Sequence, residues 1–173
     1  PAPLFELNDL DGKPVSLASF KGKYVVLEWT NYDCPFVKKH YSSGNMQALQ
    51  QKNVAEGVIW LVINSSAPGK QGNYQPEKWK ELAAERKSAP TAILLDADGK
   101  VGKLYMAKTT PEMFVIDSEG RILFMGAIDD RPTTDVKDVE GAVNYVQLAL
   151  REARAGYPVS VPLSKSYGCS VKY

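Results

Sequence analysis

Apolar runs separated by short polar segments predict a strand, a turn and a helix early in the chain. The segments Tyr24–Trp29 and Val58–Ile63 are nearly continuous apolar runs rich in β-forming residues, which is typical of strands covered on both faces. Pro35 follows the first run after a polar turn, and proline suits the first turn of a helix because its missing N–H needs no partner there. We therefore expect two buried strands joined by a helix that begins at Pro35 and is broken near Ser42-Ser43-Gly44.

Helical spacing returns after a loop rich in Ser, Gly and Lys. Pro76 starts a predicted helix whose apolar side chains recur at spacings of three and four, and Pro90 closes it. A third strand is predicted at residues 91–95. A final amphipathic helix is predicted from Val139 to Ala153, with Gly156 and Pro158 as stop signals.

Two hairpins are predicted at opposite ends of the chain. Residues 4–17 alternate loosely around Asp11-Gly12-Lys13, and residues 113–116 and 122–125 flank Asp117-Ser118-Glu119-Gly120. Together with the helices, this order predicts an α/β fold. We expect a central mixed β-sheet flanked by helices, an N-terminal β-hairpin and an irregular C-terminal tail.

The predicted domain covers residues 1–156, and residues 157–173 form the tail, which carries Cys169. The apolar residues of the tail follow neither helical nor strand spacing, so the tail must pack on the domain or remain mobile. At 173 residues the chain suits one domain with one core.

Composition narrows the classes of partner. The net charge of +1 gives no basic surface for nucleic acid, and the longest apolar run falls far short of the roughly 20 residues that cross a bilayer. The opening Pro1-Ala2-Pro3 fits a processed periplasmic or secreted protein, with a cytoplasmic location as the alternative.

Two cysteines, 135 residues apart, are the candidate chemistry. Their number excludes a small disulfide framework and their separation excludes a local redox pair or zinc knuckle. Cys34 directly precedes the predicted helix, where unsatisfied N–H groups lower a thiol pKa. Lys38, one turn later, could assist and Asp33 would oppose the thiolate. An inert core cysteine is the alternative.

A buried strand, a Cys34-Pro35 helix start and a distant Thr109-Thr110-Pro111-Glu112-Met113-Phe114 segment together resemble the thioredoxin superfamily. The likeness is to the peroxiredoxin-like branch of the alkyl hydroperoxide reductase and thiol-specific antioxidant (AhpC/TSA) family, from about Pro3 to about Asp130. It implies a thioredoxin-like fold with Pro111 as a cis-proline facing Cys34. It also implies that the backbone beside Pro111, at Thr110, is available to pair with a thiol substrate.

The chain departs from the patterns of two related groups. Val37 stands where thioredoxins have their second cysteine, which excludes a Cys-x-x-Cys cycle. Leu27 and Asn31 stand where peroxiredoxins have the proline and threonine of Pro-x-x-x-Thr-x-x-Cys. The residues that hold a peroxide are thus missing.

Cys169 lies on the irregular tail, where a thiol can travel. It is a candidate resolving cysteine, which would attack an oxidised or mixed-disulfide form of Cys34. The alternative is a spare thiol or a static Cys34–Cys169 disulfide that pins the tail.

Glu28 and His40 each lie six residues from Cys34. By the same resemblance, Glu28 occupies the position of a buried thioredoxin carboxylate and is a candidate proton relay and pKa modulator. A carboxylate at a sheet edge or facing solvent is the alternative. His40, the only histidine, lies well off the cysteine's helical face, so a copper site of Cys34 and His40 is the weakest hypothesis.

These observations favour a thiol–disulfide oxidoreductase or peroxiredoxin-like antioxidant protein. Its predicted site comprises Cys34, Cys169, Thr110 and Pro111, with Glu28 and Lys38 as pKa modulators and no metal or cofactor. The expected partners are a thiol or disulfide protein or a peroxide, and an external thiol reductant. A non-catalytic binding protein with a structural Cys34–Cys169 disulfide is the alternative.

Overall fold

The computed structural model describes all residues from 1 to 173. Nine strands and five α-helices follow one another with two short 3-10 turns. In chain order they are β1 (Glu6–Asp9), β2 (Pro14–Ser16), β3 (Val25–Trp29), α1 (Pro35–Ser42), α2 (Asn45–Ala55), β4 (Ile59–Asn64), α3 (Pro76–Glu85), β5 (Ala92–Leu95), α4 (Lys100–Leu104), β6 (Thr109–Thr110), β7 (Glu112–Ile116), β8 (Ile122–Gly126), α5 (Tyr145–Arg154) and β9 (Cys169–Ser170).

Seven strands form one sheet in the order β2-β1-β5-β4-β3-β7-β8. Strands β3, β4 and β5 pair in parallel, whereas the other neighbours pair antiparallel. The predicted mixed sheet, N-terminal hairpin and β7–β8 hairpin are therefore confirmed. Strands β6 and β9 form a separate two-stranded ribbon beside the sheet.

The central strand β3 divides the core because its side chains alternate between the two faces of the sheet. Val26 belongs to the apolar cluster that includes side chains of α1, α2, α3 and α5. Leu27 and Trp29 belong to a second cluster, with side chains of α4 and of the N-terminal segment. All five residues of β3 are buried, as the continuous apolar run predicts.

Proline and glycine set the helix boundaries near the site. The predicted starts at Pro35 and Pro76 are confirmed, and the predicted break between α1 and α2 occurs at Gly44, which has a φ of +79°. The predicted start of the last helix at Val139 is wrong. Helix α5 begins at Tyr145, where the Asn144 side chain accepts the N–H of Gln147.

The tail packs against the domain along its whole course. Its first half lies beside β8, where the Ser164 N–H donates to the Met125 carbonyl at 3.1 Å. Strand β9 then pairs with β6, and the Tyr173 hydroxyl donates to the Ala107 carbonyl at 2.6 Å. None of the helices is both long and apolar enough to span a membrane.

Candidate active site

Cys34 occupies the N-cap of α1, directly after the turn that ends β3. Pro35 is the first helical residue, so the thiol lies at the end of the helix where backbone N–H groups lack intrahelical partners. Cys34 is completely buried. Its Sγ donates to the backbone carbonyl oxygen of Thr110 at 3.2 Å.

The Thr110–Pro111 peptide bond is cis, as the family resemblance implies. Thr110 is the residue of β6 that pairs with Cys169 of β9 in antiparallel register. The backbone beside Pro111 is therefore paired with the chain's own tail. This pairing brings the two cysteines, distant in sequence, to one place, and both are free thiols.

The environments of the two cysteines shift their thiol pKa values in opposite directions. Burial acts to raise the pKa of Cys34, but hydrogen bonding with Cys169, Thr110 and the backbone N–H groups of Val37 and Cys169 brings it below the ordinary value. Burial, followed by the hydrogen bond and charge of Cys34, raises the pKa of Cys169 to about 11. Cys34 is thus the more acidic thiol of the pair, and Cys169 is the less acidic one.

Lys38 is not one of the groups that lower the pKa of the Cys34 thiol. Its side chain is exposed, and its link to Cys34 is the backbone N–H that donates to the Cys34 carbonyl at 2.9 Å. This backbone hydrogen bond is the contact with Cys34 that the structure shows for Lys38.

Glu28 is completely buried in the middle of the sheet, so the alternative of an edge or solvent-facing carboxylate is wrong. Its carboxyl group accepts hydrogen bonds from Tyr41 at 2.7 Å, Trp60 at 2.9 Å and Gln50 at 3.0 Å. Burial is the largest cause of its raised pKa, which those three donors oppose. The carboxyl group lies on the Cys34 face of the sheet within a closed set of neutral donors.

Asn31 fixes the turn before Cys34. Its side chain is buried, accepts the N–H of Asp33 at 2.9 Å and donates to Gln71 at 3.0 Å. At the position of the peroxiredoxin threonine, this chain therefore has a residue that ties the turn to the loop after β4.

A second buried polar cluster, which the sequence did not reveal, receives the side chain of Tyr167. We name Lys39, His40 and Asp129 the phenol socket, and all three are at most 3% exposed. The Tyr167 hydroxyl donates to Asp129 Oδ1 at 2.6 Å and lies 3.2 Å from His40 Nε2 and 3.5 Å from Lys39 Nζ. His40 thus faces the tail rather than the active-site thiol.

Gly168 links Tyr167 to Cys169 and lies directly against β6. Its φ is +144°, and a Cβ at this position would overlap the Thr110 carbonyl oxygen. A side chain is therefore excluded here by both conformation and space. The only sequence signal for this arrangement is the local Tyr167-Gly168-Cys169 order.

Comparisons with known proteins agree with this geometry. A model of the AhpC/TSA family matches residues 1–125. The thiol-disulfide oxidoreductase ResA of Geobacillus thermodenitrificans is 28% identical over 122 residues, which cover 70% of this chain and 64% of that protein. The chain thus spans less than two thirds of the length of this curated relative.

Two solved structures match almost the whole chain. An uncharacterised conserved protein of Geobacillus kaustophilus superposes with a TM-score of 0.83 and 28% identity, covering 99% of this chain and 89% of that one. A hypothetical protein of Sinorhizobium meliloti also gives 0.83, at 24% identity, covering 99% and 92%. These matches include the tail, and the thioredoxin-like fold is confirmed.

Proposed function

The chain belongs to the AhpC/TSA family, and from that premise we propose that it is a thiol–disulfide oxidoreductase with Cys34 as nucleophile and Cys169 as resolving cysteine. The observation that carries the proposal is the pairing of Thr110 with Cys169, which sets a low-pKa thiol beside a high-pKa one. The similarity to a thiol-disulfide oxidoreductase supports the same chemistry.

The proposed cycle is a two-electron exchange. The Cys34 thiolate attacks one sulfur of a partner disulfide, the partner's S–S bond breaks, and its other sulfur leaves as a thiolate. Cys169 then loses its proton to the leaving group or to solvent and attacks Cys34 in the mixed disulfide. The partner leaves with both sulfurs reduced, and the Cys34–Cys169 disulfide is reduced in turn by an external dithiol.

Thr110 and Pro111 have a positioning role in this proposal. The Thr110 carbonyl accepts a hydrogen bond from the Cys34 thiol, and Pro111 fixes the backbone of the loop that carries this carbonyl. The relay role of Glu28 and the modulating role of Lys38 stay predictions.

The test is single-turnover exchange between the reduced chain and a peptide that contains one disulfide, followed by mass spectrometry. The wild-type chain should end as an intramolecular disulfide, and Cys169→Ser should accumulate a mixed disulfide on Cys34. Cys34→Ser should lose at least 100-fold in rate, because the only low-pKa thiol is gone. Ser170→Ala, the exposed neighbour on β9, is the matched control and should behave as wild type.

Other results of this experiment would contradict the proposal. Equal rates for Cys34→Ser and wild type would remove Cys34 from the chemistry. A Cys34–Cys169 disulfide that resists dithiols, with no exchange by the reduced chain, would favour the non-catalytic binding protein. Rapid oxidation by peroxide with no reaction toward disulfides would favour the thiol peroxidase.

A periplasmic or secreted location also stays a prediction. An external dithiol reductant and a disulfide-bearing protein partner are consistent with such a location, because disulfides persist in oxidising compartments. Fractionation of cells that express the natural gene tests it, and recovery with cytoplasmic markers would contradict it.

A further inference from the structure

The active-site thiol is covered by the chain's own tail. Cys34 has no solvent exposure, and its surroundings include Thr110 on one side and Cys169 of the tail on the other. A partner disulfide must reach the Cys34 sulfur in line with the bond that breaks. It therefore cannot react while β9 lies on β6.

After β9, the tail is held by the Tyr173 hydroxyl, which donates to the Ala107 carbonyl at 2.6 Å, and by the Lys172 carbonyl, which accepts the Ala67 N–H at 2.7 Å. Before β9, it is held at Tyr167. Three buried side chains surround its hydroxyl, and the shortest contact is the 2.6 Å hydrogen bond to Asp129. The ring also packs against Phe36, with 5.7 Å between ring centroids. By contrast, β9 itself has only two residues and pairs only with β6. The phenol socket is thus the buried attachment of the tail before β9, and Tyr173 is the attachment after it.

Departure of the tail would leave an unpaired strand edge beside the thiol. Thr110 would then present the backbone that now pairs with Cys169, and Lys108 would present the carbonyl that now accepts the Val171 N–H at 2.9 Å. An edge of this kind binds an extended segment by backbone hydrogen bonds, with little regard for side chains. The tail shows directly that an extended segment fits there with its cysteine next to Cys34.

We propose that residues 167–173, named here the strap, are a displaceable lid over Cys34, held by Tyr167 before β9 and by Tyr173 after it. The strap must leave β6 before an extended disulfide-bearing segment of a partner can take the place beside Thr110 that the family resemblance implies for it. The proposal rests on the proposed function for the reaction that follows binding. The strap then returns to bring Cys169 to the mixed disulfide. One segment of this chain is both the lid over the nucleophile and the carrier of the resolving thiol.

Alkylation of the reduced full chain by iodoacetamide over a range of pH tests the lid. Peptide mapping separates the Cys34 and Cys169 products, the limiting rate at high pH measures access, and the midpoint measures the Cys34 pKa. Tyr167→Phe should raise the limiting rate at Cys34 about tenfold, because a hydrogen bond to a carboxylate is lost. The midpoint should also shift, since opening removes both the burial that raises the Cys34 pKa and the hydrogen bonds from Cys169 that lower it.

The matched control is Tyr157→Phe, at an exposed tyrosine of the same tail, which should leave both quantities unchanged. A merely structural Tyr167 would not move the midpoint. If the limiting rate of Tyr167→Phe stays within twofold of wild type and its midpoint does not move, the lid is overturned. It is also overturned if wild-type Cys34 reacts at the limiting rate of a free cysteine.

The vacated edge is tested with a synthetic peptide of residues 164–173 that carries serine in place of Cys169. Added to reduced Gly168→Ala or Tyr167→Phe chain, it should protect Cys34 from iodoacetamide at least fivefold and saturably, whereas a scrambled peptide should not. Faster alkylation in both variants without any protection would overturn the partner part of the proposal. None of these measurements uses disulfide exchange, so a chain that opens as proposed but exchanges nothing would contradict the proposed function alone.

Discussion

Two buried carboxyl groups, Glu28 and Asp129, lie beside consecutive residues of helix α1, Tyr41 and His40, and differ in the hydrogen-bond donors that they receive. Glu28 receives all three donors from β4, α1 and α2, which belong to the main core. Asp129 receives its shortest hydrogen bond from Tyr167, on the tail. The first site is complete whenever the domain is folded, whereas the second is complete only while the tail is docked.

This difference teaches that burial alone does not assign a role to a charged group. A buried polar group costs free energy unless its partners are present. Glu28 therefore contributes to the stability of the whole fold. Asp129 favours the docked position of the tail, and with it the position of Cys169 beside Cys34.

The largest expected effect is at Glu28. Glu28→Leu should lower the free energy of unfolding by about 3–5 kcal/mol, because three buried donors lose their acceptor. Urea unfolding measures this loss, and Glu28→Gln, which keeps an acceptor, should cost clearly less. If Glu28→Leu changed the alkylation rate of Cys169 and left the unfolding midpoint alone, the comparison of the two sites would be reversed.

The second largest expected effect is a pH dependence of the free energy of unfolding that His40 causes. Burial is the main cause that lowers the pKa of His40 to about 4, with Lys39 acting the same way and Asp129 opposing. Between pH 4 and 6.5 the unfolded chain binds the extra proton. The contribution is therefore fully present above pH 6.5 and falls by about 3 kcal/mol as the pH drops to 4.

Urea unfolding of wild type and His40→Gln at pH 7 and 4.5 measures the His40 contribution. The stability lost between the two pH values should be clearly smaller in the variant. Equal losses in both chains would mean that His40 keeps its ordinary pKa in the fold.

The smallest expected effect on stability is at Asp129. Asp129→Asn should cost about 1–2 kcal/mol, because Tyr167 keeps a neutral acceptor in place of a charged one. The same change should nevertheless speed the alkylation of Cys169 several-fold, an effect absent from Glu28→Gln. If both variants changed that rate equally, the tail would not depend on the phenol socket.

The main sheet could be predicted from the sequence because the signals for its strands and helices are local. Continuous apolar runs predicted β3 and β4, and Pro35 and Pro76 predicted helix starts. The last helix was placed too early because apolar residues between Val139 and Val143 fit a helical period by themselves. Gly141, with a φ of +79°, and the Asn144 cap place the start at Tyr145 instead.

Only part of the candidate site could be predicted from the sequence. Cys34 and Pro111 lie in short motifs, so the resemblance to a family was enough to identify them. The contact of Tyr167 with His40 joins residues 127 positions apart, and no periodicity or spacing encodes such a contact. Glu28 was found by position, but its three donors could be identified only from the folded core.

The crossing of Gly126 and Ser164 sets how far the resolving thiol can travel. Gly126 has a φ of +138°, and the Ser164 carbonyl occupies the space that a side chain at Gly126 would fill. With the tail tethered there, four residues separate Ser164 from Cys169, and the five extended steps between the two give a reach of at most about 18 Å. So short a tether keeps the thiol at a high effective concentration near Cys34 even when the strap is open. An incoming partner would therefore have only a brief interval before the chain's own cysteine competes for the bond it has made.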